Sequence, residues 1–154
     1  MASVTRDGAT IHFDDEGEGY PILLIAPGGM RSANDIWNGV PWNPRAALVG
    51  DYRLIGMDQR NAGRSTAPVS ADDGWATYAA DQLAVLDHLG IERCHVLGMC
   101  IGGPYIIGLL RAAPERFSAA VMLQPVGIDG NREALEGMFD QWATAIAPDH
   151  PEVD

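Results

Sequence analysis

No lysine occurs in the 154 residues; all ten basic side chains are arginines, set against twenty-one acids for a net charge of -11. That balance cannot neutralise a run of phosphates, so nucleic acid is not expected as a partner. An anionic membrane surface is disfavoured on the same ground. No apolar run approaches the roughly 20 residues needed to span a bilayer, so no membrane segment is expected. Residues 1–19 lack the basic-then-apolar pattern of a secretory leader. Only two cysteines are present, Cys94 and Cys100. They fall on one predicted strand and the turn that follows, a rigid spacing that a disulfide does not bridge. A reducing compartment fits, and a cytoplasmic protein is expected. No His/Cys/Asp cluster has metal-ligand spacing, so neither a metal nor an organic cofactor is implied. What remains is a chain with 47% apolar and 20% charged residues, the composition of one globular domain with a modest core.

Strand-like and helix-like segments alternate along it, separated by Gly, Pro, Asp and Asn, which predicts an α/β layered fold. Residues 9–14 read as a short strand. Residues 21–26 are continuously apolar, as a strand buried on both faces should be, and stop at Pro27-Gly28-Gly29. A looser segment with Trp37 and Trp42 follows; Asn43-Pro44 then offers an N-cap and first turn for a helix over 45–49. Residues 52–57 read as strand. The spacing of Tyr78, Ala79, Leu83, Leu86 and Leu89 predicts a helix over 75–89, closed by Gly90. Residues 94–99 read as strand, 101–113 as helix with Pro104 in its first turn, and 118–124 as another buried strand. Residues 129–154 hold seven acids and one arginine. Leu135, Met138, Phe139, Trp142 and Ile146 give an amphipathic helix over 132–146.

The chemistry concentrates at Gly98-Met99-Cys100-Ile101-Gly102-Gly103, between a strand and a helix. This is the nucleophile-elbow pattern with cysteine in the serine position. A nucleophile on so sharp a turn takes unusual backbone angles, and the residues two before and two after it must be nearly free of side chain. Gly98 and Gly102 meet that need, while Gly103 is expected to let the helix approach the sheet closely. The Cys100 thiol sits at a helix N-terminus, where partial positive charge favours thiolate. The backbone N–H of Ile101 is expected to face the oxygen of a tetrahedral intermediate.

Over residues 8–127 the chain resembles the α/β-hydrolase family at several ordered positions. Pro27-Gly28-Gly29-Met30 resembles the oxyanion loop, with Pro-Gly where His-Gly is usual. Asp58-Gln59-Arg60-Asn61-Ala62-Gly63-Arg64-Ser65 resembles the Asp-x-Arg-Gly-x-Gly-x-Ser turn, with Asn61 in place of the first glycine. Ala80-Asp81-Gln82 through Leu89 resembles the helix before the elbow, and Ala113-Pro114-Glu115-Arg116 the exit into the next strand. The resemblance implies a mostly parallel sheet flanked by helices, here truncated after about the sixth of the usual eight strands. It implies a second oxyanion donor at the N–H of Gly29 or Met30. It gives Arg60 and Arg64 the role of bracing their turn, and Asp81 that of tying loops together. The cysteine is similar to that of dienelactone hydrolases, which pair it with a histidine and an aspartate.

These residues imply a hydrolase of esters, lactones or thioesters, acting on a small-molecule acyl substrate through an acyl-cysteine. Acyl transfer of the homoserine-acetyltransferase type is the alternative within enzymes. A catalytically silent binding protein on the same fold is the alternative outside them. The family places its histidine late. His12, His88 and His95 precede the elbow and read as ordinary surface or core-edge residues. His150 and Asp129 are weak candidates for base and acid, and Gln124 stands where some relatives place a carboxylate. Residues 1–127 are therefore expected to be the N-terminal part of the hydrolase core and 128–154 the start of a lid. The base and acid are expected outside this segment, in a longer chain or a complementing C-terminal piece; a naturally short chain that pairs as a homo-oligomer along the exposed sheet edge is the alternative.

Overall fold

Ile22 to Ile25 are almost wholly buried because helices and turns cover both sides of the strand they form. In this computed structural model the elements run β1 (Ala2–Arg6), β2 (Ala9–Glu16), β3 (Tyr20–Ile25), α1 (Pro44–Leu48), β4 (Tyr52–Met57), α2 (Trp75–His88), β5 (Cys94–Met99), α3 (Gly102–Ala112) and β6 (Phe117–Leu123). The structure describes residues 2–127 together with Glu133, Glu136 and Gly137. The expected lid helix over 132–146 and the candidates Asp129 and His150 otherwise lie outside the described residues.

The strands form one sheet in the order β1-β2-β4-β3-β5-β6. β4, β3, β5 and β6 are parallel, and β2 and β1 extend the β4 edge antiparallel. Alternation along β3 splits the core in two. Leu23 and Ile25 join Ile11, Phe13, Ile55, Val96 and residues of α2 and α3 on one face. Ile22 and Leu24 join Leu54, Leu97 and the fully buried Trp37 on the other. A 3₁₀ turn at Asn34–Gly39 and the short α1 line this second face, and a shorter 3₁₀ turn, Gly29–Arg31, follows β3. The N-cap at α1 is as the sequence predicts, with the Asn43 side chain accepting from the Arg45 N–H at 2.9 Å. Gly90, at φ 65°, follows the last turn of α2.

Two elements differ from the sequence reading. β1 is added at the N-terminus, hairpinned to β2 through Asp7-Gly8, whose φ values of 47° and 77° are those of a tight hairpin turn. β6 is not buried on both faces. Met122 packs into the core, but Val121, which alternation turns to the other face, is 45% exposed.

The loop after β4 is held by charge. The Asp58 carboxylate accepts from the Asn34 N–H (2.9 Å), the Arg64 N–H (3.0 Å) and Arg64 Nε (2.8 Å). Asp14 accepts from Arg64 at 3.2 Å and from Asn34 Nδ2 at 2.8 Å. Arg60 grips the fully buried Asp81 through Nε (2.7 Å) and Nη2 (3.2 Å), and reaches Asp73 through Nη1 (2.9 Å). Arg6 adds a second cation to Asp81 at 3.2 Å. The bracing roles inferred for Arg60, Arg64 and Asp81 are what these contacts provide.

Partial burial alone raises the Asp14 pKa, but the Arg64 and Asn34 hydrogen bonds outweigh it and hold the carboxyl below its ordinary value of 3.8. A carboxyl depressed in the folded state stabilises above its unfolded pKa, and loses that contribution as pH falls through the folded one. Asp14→Asn is therefore expected to cost about 1 kcal/mol at pH 7, the scale of a part-exposed charged hydrogen bond. Urea melts should show the gap between variant and parent closing as pH falls below the ordinary aspartate range.

Candidate active site

β5 ends at Met99, and the chain must reverse within two residues to start α3. It does so through Cys100 at φ 57°, a left-handed conformation that a side chain rarely adopts. The flanking glycines make the corner possible. A Cβ on Gly98 would lie 2.9 Å from Gly102 Cα, and one on Gly102 would lie 2.9 Å from the Ile25 carbonyl oxygen. Gly102, and not Gly103, thus lets the helix meet the sheet; a Cβ on Gly103 would instead strike Pro125, at 2.6 Å from its Cβ. The end of β6 fixes the corner from outside. The Cys100 N–H donates to the Leu123 carbonyl at 2.9 Å, and the Cys100 carbonyl accepts from the Val126 N–H at 3.3 Å.

Among the backbone bonds of this corner none engages the Ile101 N–H. β3 pairs with β5 so that Ile25 stands opposite Gly98, which brings Ala26 and the Gly28-Gly29-Met30 turn alongside Met99 and Cys100. Gly29 and Met30 open the 3₁₀ turn, where leading N–H groups have no partner within the helix. Ser32 anchors the turn by donating its Oγ–H to the Ala26 carbonyl at 2.7 Å. The structure therefore gathers Cys100, Ile101, Gly29 and Met30 at the C-terminal end of neighbouring strands.

Tyr105 of α3, which the sequence reading does not single out, ties the two turns together. Its hydroxyl donates to Met30 Sδ at 3.9 Å, and its ring meets Trp75 and Tyr78 at 5.3 and 5.2 Å. Burial pushes the Tyr105 hydroxyl well above its ordinary pKa, so it stays a protonated donor.

None of the described histidines is hydrogen-bonded to Cys100. His95 stands at the far end of β5, about 16 Å along the strand at ordinary rise, and its Nδ1 meets Ser118 Oγ at 2.8 Å. His88 packs edge-on against Phe13 at 5.7 Å, and His12 lies on β2, three strands from β5 in the sheet. Gln124 follows β6 directly, at φ 46°. Among the described residues there is no group of three or more His, Cys, Asp or Glu able to hold a metal ion, and no helix long and apolar enough to cross a membrane.

Two clefts flank the elbow without including Cys100. One, of about 540 Å³, runs from Met30 and Arg31 to Asn61, Trp75 and Tyr78. The other, of about 700 Å³, is an apolar groove between α2 and α3, bounded by Ala79, Leu83, Pro104 and Ile107.

The family model for the alpha/beta hydrolase fold matches residues 21–154, and the chain belongs to that family. It is 30% identical over 122 residues to a carboxylesterase of Bacillus subtilis, covering 79% of this chain and 39% of that protein. It is 26% identical over 131 residues to the 2-hydroxy-6-oxo-6-phenylhexa-2,4-dienoate hydrolase of Comamonas testosteroni, covering 83% of this chain and 45% of that protein. The chain thus spans less than half the length of these two relatives. Among solved structures, a meta-cleavage product hydrolase from Pseudomonas fluorescens IP01 superposes with a TM-score of 0.73 at 26% identity, covering 85% of this chain and 47% of that one. A thermophilic esterase from Thermogutta terrifontis superposes with a TM-score of 0.75 at 20% identity, over 95% of this chain and 53% of that one, a likeness of fold.

The two thiols differ sharply. Cys94 is fully buried at the start of β5, and that burial pushes its pKa up to about 11, whereas Cys100 is part-exposed at the corner. Iodoacetamide at pH 8 is expected to modify Cys100 at least ~100-fold faster than Cys94 in the folded protein, since burial both suppresses the Cys94 thiolate and blocks access to it. Peptide mapping after timed alkylation reads the ratio.

Proposed function

We propose that this chain carries the nucleophile and oxyanion site of an acyl hydrolase acting on small-molecule esters, lactones or thioesters. The observation that carries the reading is Cys100 held at φ 57° between Gly98 and Gly102, beside the Gly29–Met30 turn. Relatives named as a carboxylesterase and a dienoate hydrolase support hydrolysis as the reaction.

In this mechanism the Cys100 thiolate attacks the substrate carbonyl carbon, and the carbonyl electron pair moves onto oxygen. The N–H of Ile101 and that of Gly29 or Met30 donate to the oxyanion, a contribution worth about 3 kcal/mol per donor in comparable sites. Collapse expels the alkoxide or thiolate of the leaving group, which takes a proton, and leaves a thioester on Cys100. Water then attacks the thioester, a second oxyanion forms and collapses, and the acid is released with the thiolate restored. Cysteine suits these substrates because a thiol ionises far more readily than a hydroxyl. The histidine that takes the thiol proton and activates water, and the acid that orients it, come from outside residues 2–127.

Cys100→Ala is expected to lower kcat on a 4-nitrophenyl ester of the intact protein by a factor of about 10³ or more, the usual cost of losing a nucleophile. Full turnover in that variant contradicts the mechanism. Absence of turnover in the parent, with unchanged ligand binding in Cys100→Ala, favours a silent binding protein. Product that forms only when an alcohol or amine acceptor is added favours acyl transfer.

A further inference from the structure

We propose that Arg31 is the recognition site for a carboxylate carried by the substrate, so that the hydrolase acts on an ester or thioester with an anionic end. This role rests on the reading of Cys100 as nucleophile and extends it by naming a substrate class. Arg60 and Arg64, to which the family resemblance gives the role of bracing their turn, are both spent on acids in the structure. Arg60 is held by Asp81 and Asp73, and Arg64 by Asp58 and Asp14. Arg6, Arg45, Arg53 and Arg116 are likewise paired with acids. Arg31, Arg93 and Arg111 make no ion pair among the described residues. Of these three only Arg31 lines the cleft at the oxyanion turn.

The acid in that cleft is already committed. Asp73 Oδ1 accepts from Arg60 at 2.9 Å and Oδ2 from the Ser70 N–H at 3.1 Å. Arg31 is therefore the one uncompensated charge on the cleft wall among the described residues. Its position is built, not accidental to the site. Arg31 closes the 3₁₀ turn whose first residues are the candidate oxyanion donors, its N–H bonded to the Gly28 carbonyl at 3.1 Å. Neighbouring Met30 is the residue that Tyr105 holds, and Tyr105 in turn meets Trp75 and Tyr78 of the same cleft. The cleft thus offers an aromatic and apolar wall for the body of a ligand, with Arg31, unpaired among the described residues, on the same lining.

In a chain of net charge -11 an anionic substrate is repelled at long range, so one local cation decides whether it docks. A guanidinium does so with a planar fork that matches a carboxylate bidentately, which the ammonium of lysine does not.

Equilibrium binding to the intact protein tests this with a shape-matched pair, 3-phenylpropionate and 3-phenylpropionamide. The carboxylate is expected to bind at least ~10-fold more tightly than the amide at low salt, and the preference should fall to about unity in Arg31→Met, which keeps the aliphatic stem. Arg93→Met, altered at an unpaired arginine outside the cleft, should retain the preference. In turnover, Arg31→Met should raise KM for 4-nitrophenyl hemiglutarate ~10-fold or more, with KM for 4-nitrophenyl valerate within about twofold. No preference for the carboxylate in the parent, no measurable binding of either compound, or a preference surviving in Arg31→Met overturns the assignment. Turnover that survives Cys100→Ala overturns the reading of Cys100 as nucleophile instead, and the binding comparison then judges Arg31 on its own.

Discussion

The approach of Gly102 to the Ile25 carbonyl is the contact on which the candidate site depends. A side chain there would sit 2.9 Å from that oxygen, so any other residue would push α3 off the sheet. With the helix held close, the chain can leave β5 and enter α3 only through one left-handed residue, and that residue is Cys100. The thiol is thereby lifted to the rim of the sheet at the start of a helix, with the next N–H free to donate. The left-handed backbone costs free energy locally, of order 1–3 kcal/mol for a residue so placed. Bonds from Leu123 and Val126 hold Cys100 there.

The second half of the candidate oxyanion site is positioned by a separate network. Asn34, just after the 3₁₀ turn that carries Gly29 and Met30, is pinned by Asp58 through its N–H and by Asp14 through its side chain. Asp58 and Asp14 are joined by Arg64. Gly56 of β4 stays without a side chain because Asn34 occupies the space beside it. Six arginines among the described residues are thus paired with acids, and two of those acids, Asp58 and Asp73, also hold backbone N–H groups. That gives Arg31, unpaired among the described residues, its chemical weight.

Much of this architecture is legible in the residues themselves. β4 and β5 fall on the segments that read as strands, because each is an apolar run between clear turn residues. The elbow is legible because glycine spacing around a nucleophile reports a steric requirement directly. β1 escapes such a reading because its residues are short, mixed and mostly exposed, although Asp7-Gly8 is a readable hairpin signal. The exposure of β6 escapes it because an apolar strand reads alike whether or not both its faces are covered. Gly103 misleads, since nothing local shows that Pro125 folds back against it. Arg31 is invisible for a different reason. Which arginine is left without an acid is a property of the whole set of contacts, not of any local motif. Base and acid stay unassigned because no side chain placed beside Cys100 among the described residues has the chemistry for either.

Acid-quenched mass spectrometry of the intact protein during turnover of a slow ester tests the central claim most directly. The account predicts a mass increase equal to the acyl group, mapped to the peptide carrying Cys100, labile to hydroxylamine and absent in Cys100→Ala. Turnover with no adduct on Cys100, or an adduct on another residue that persists in Cys100→Ala, would contradict it.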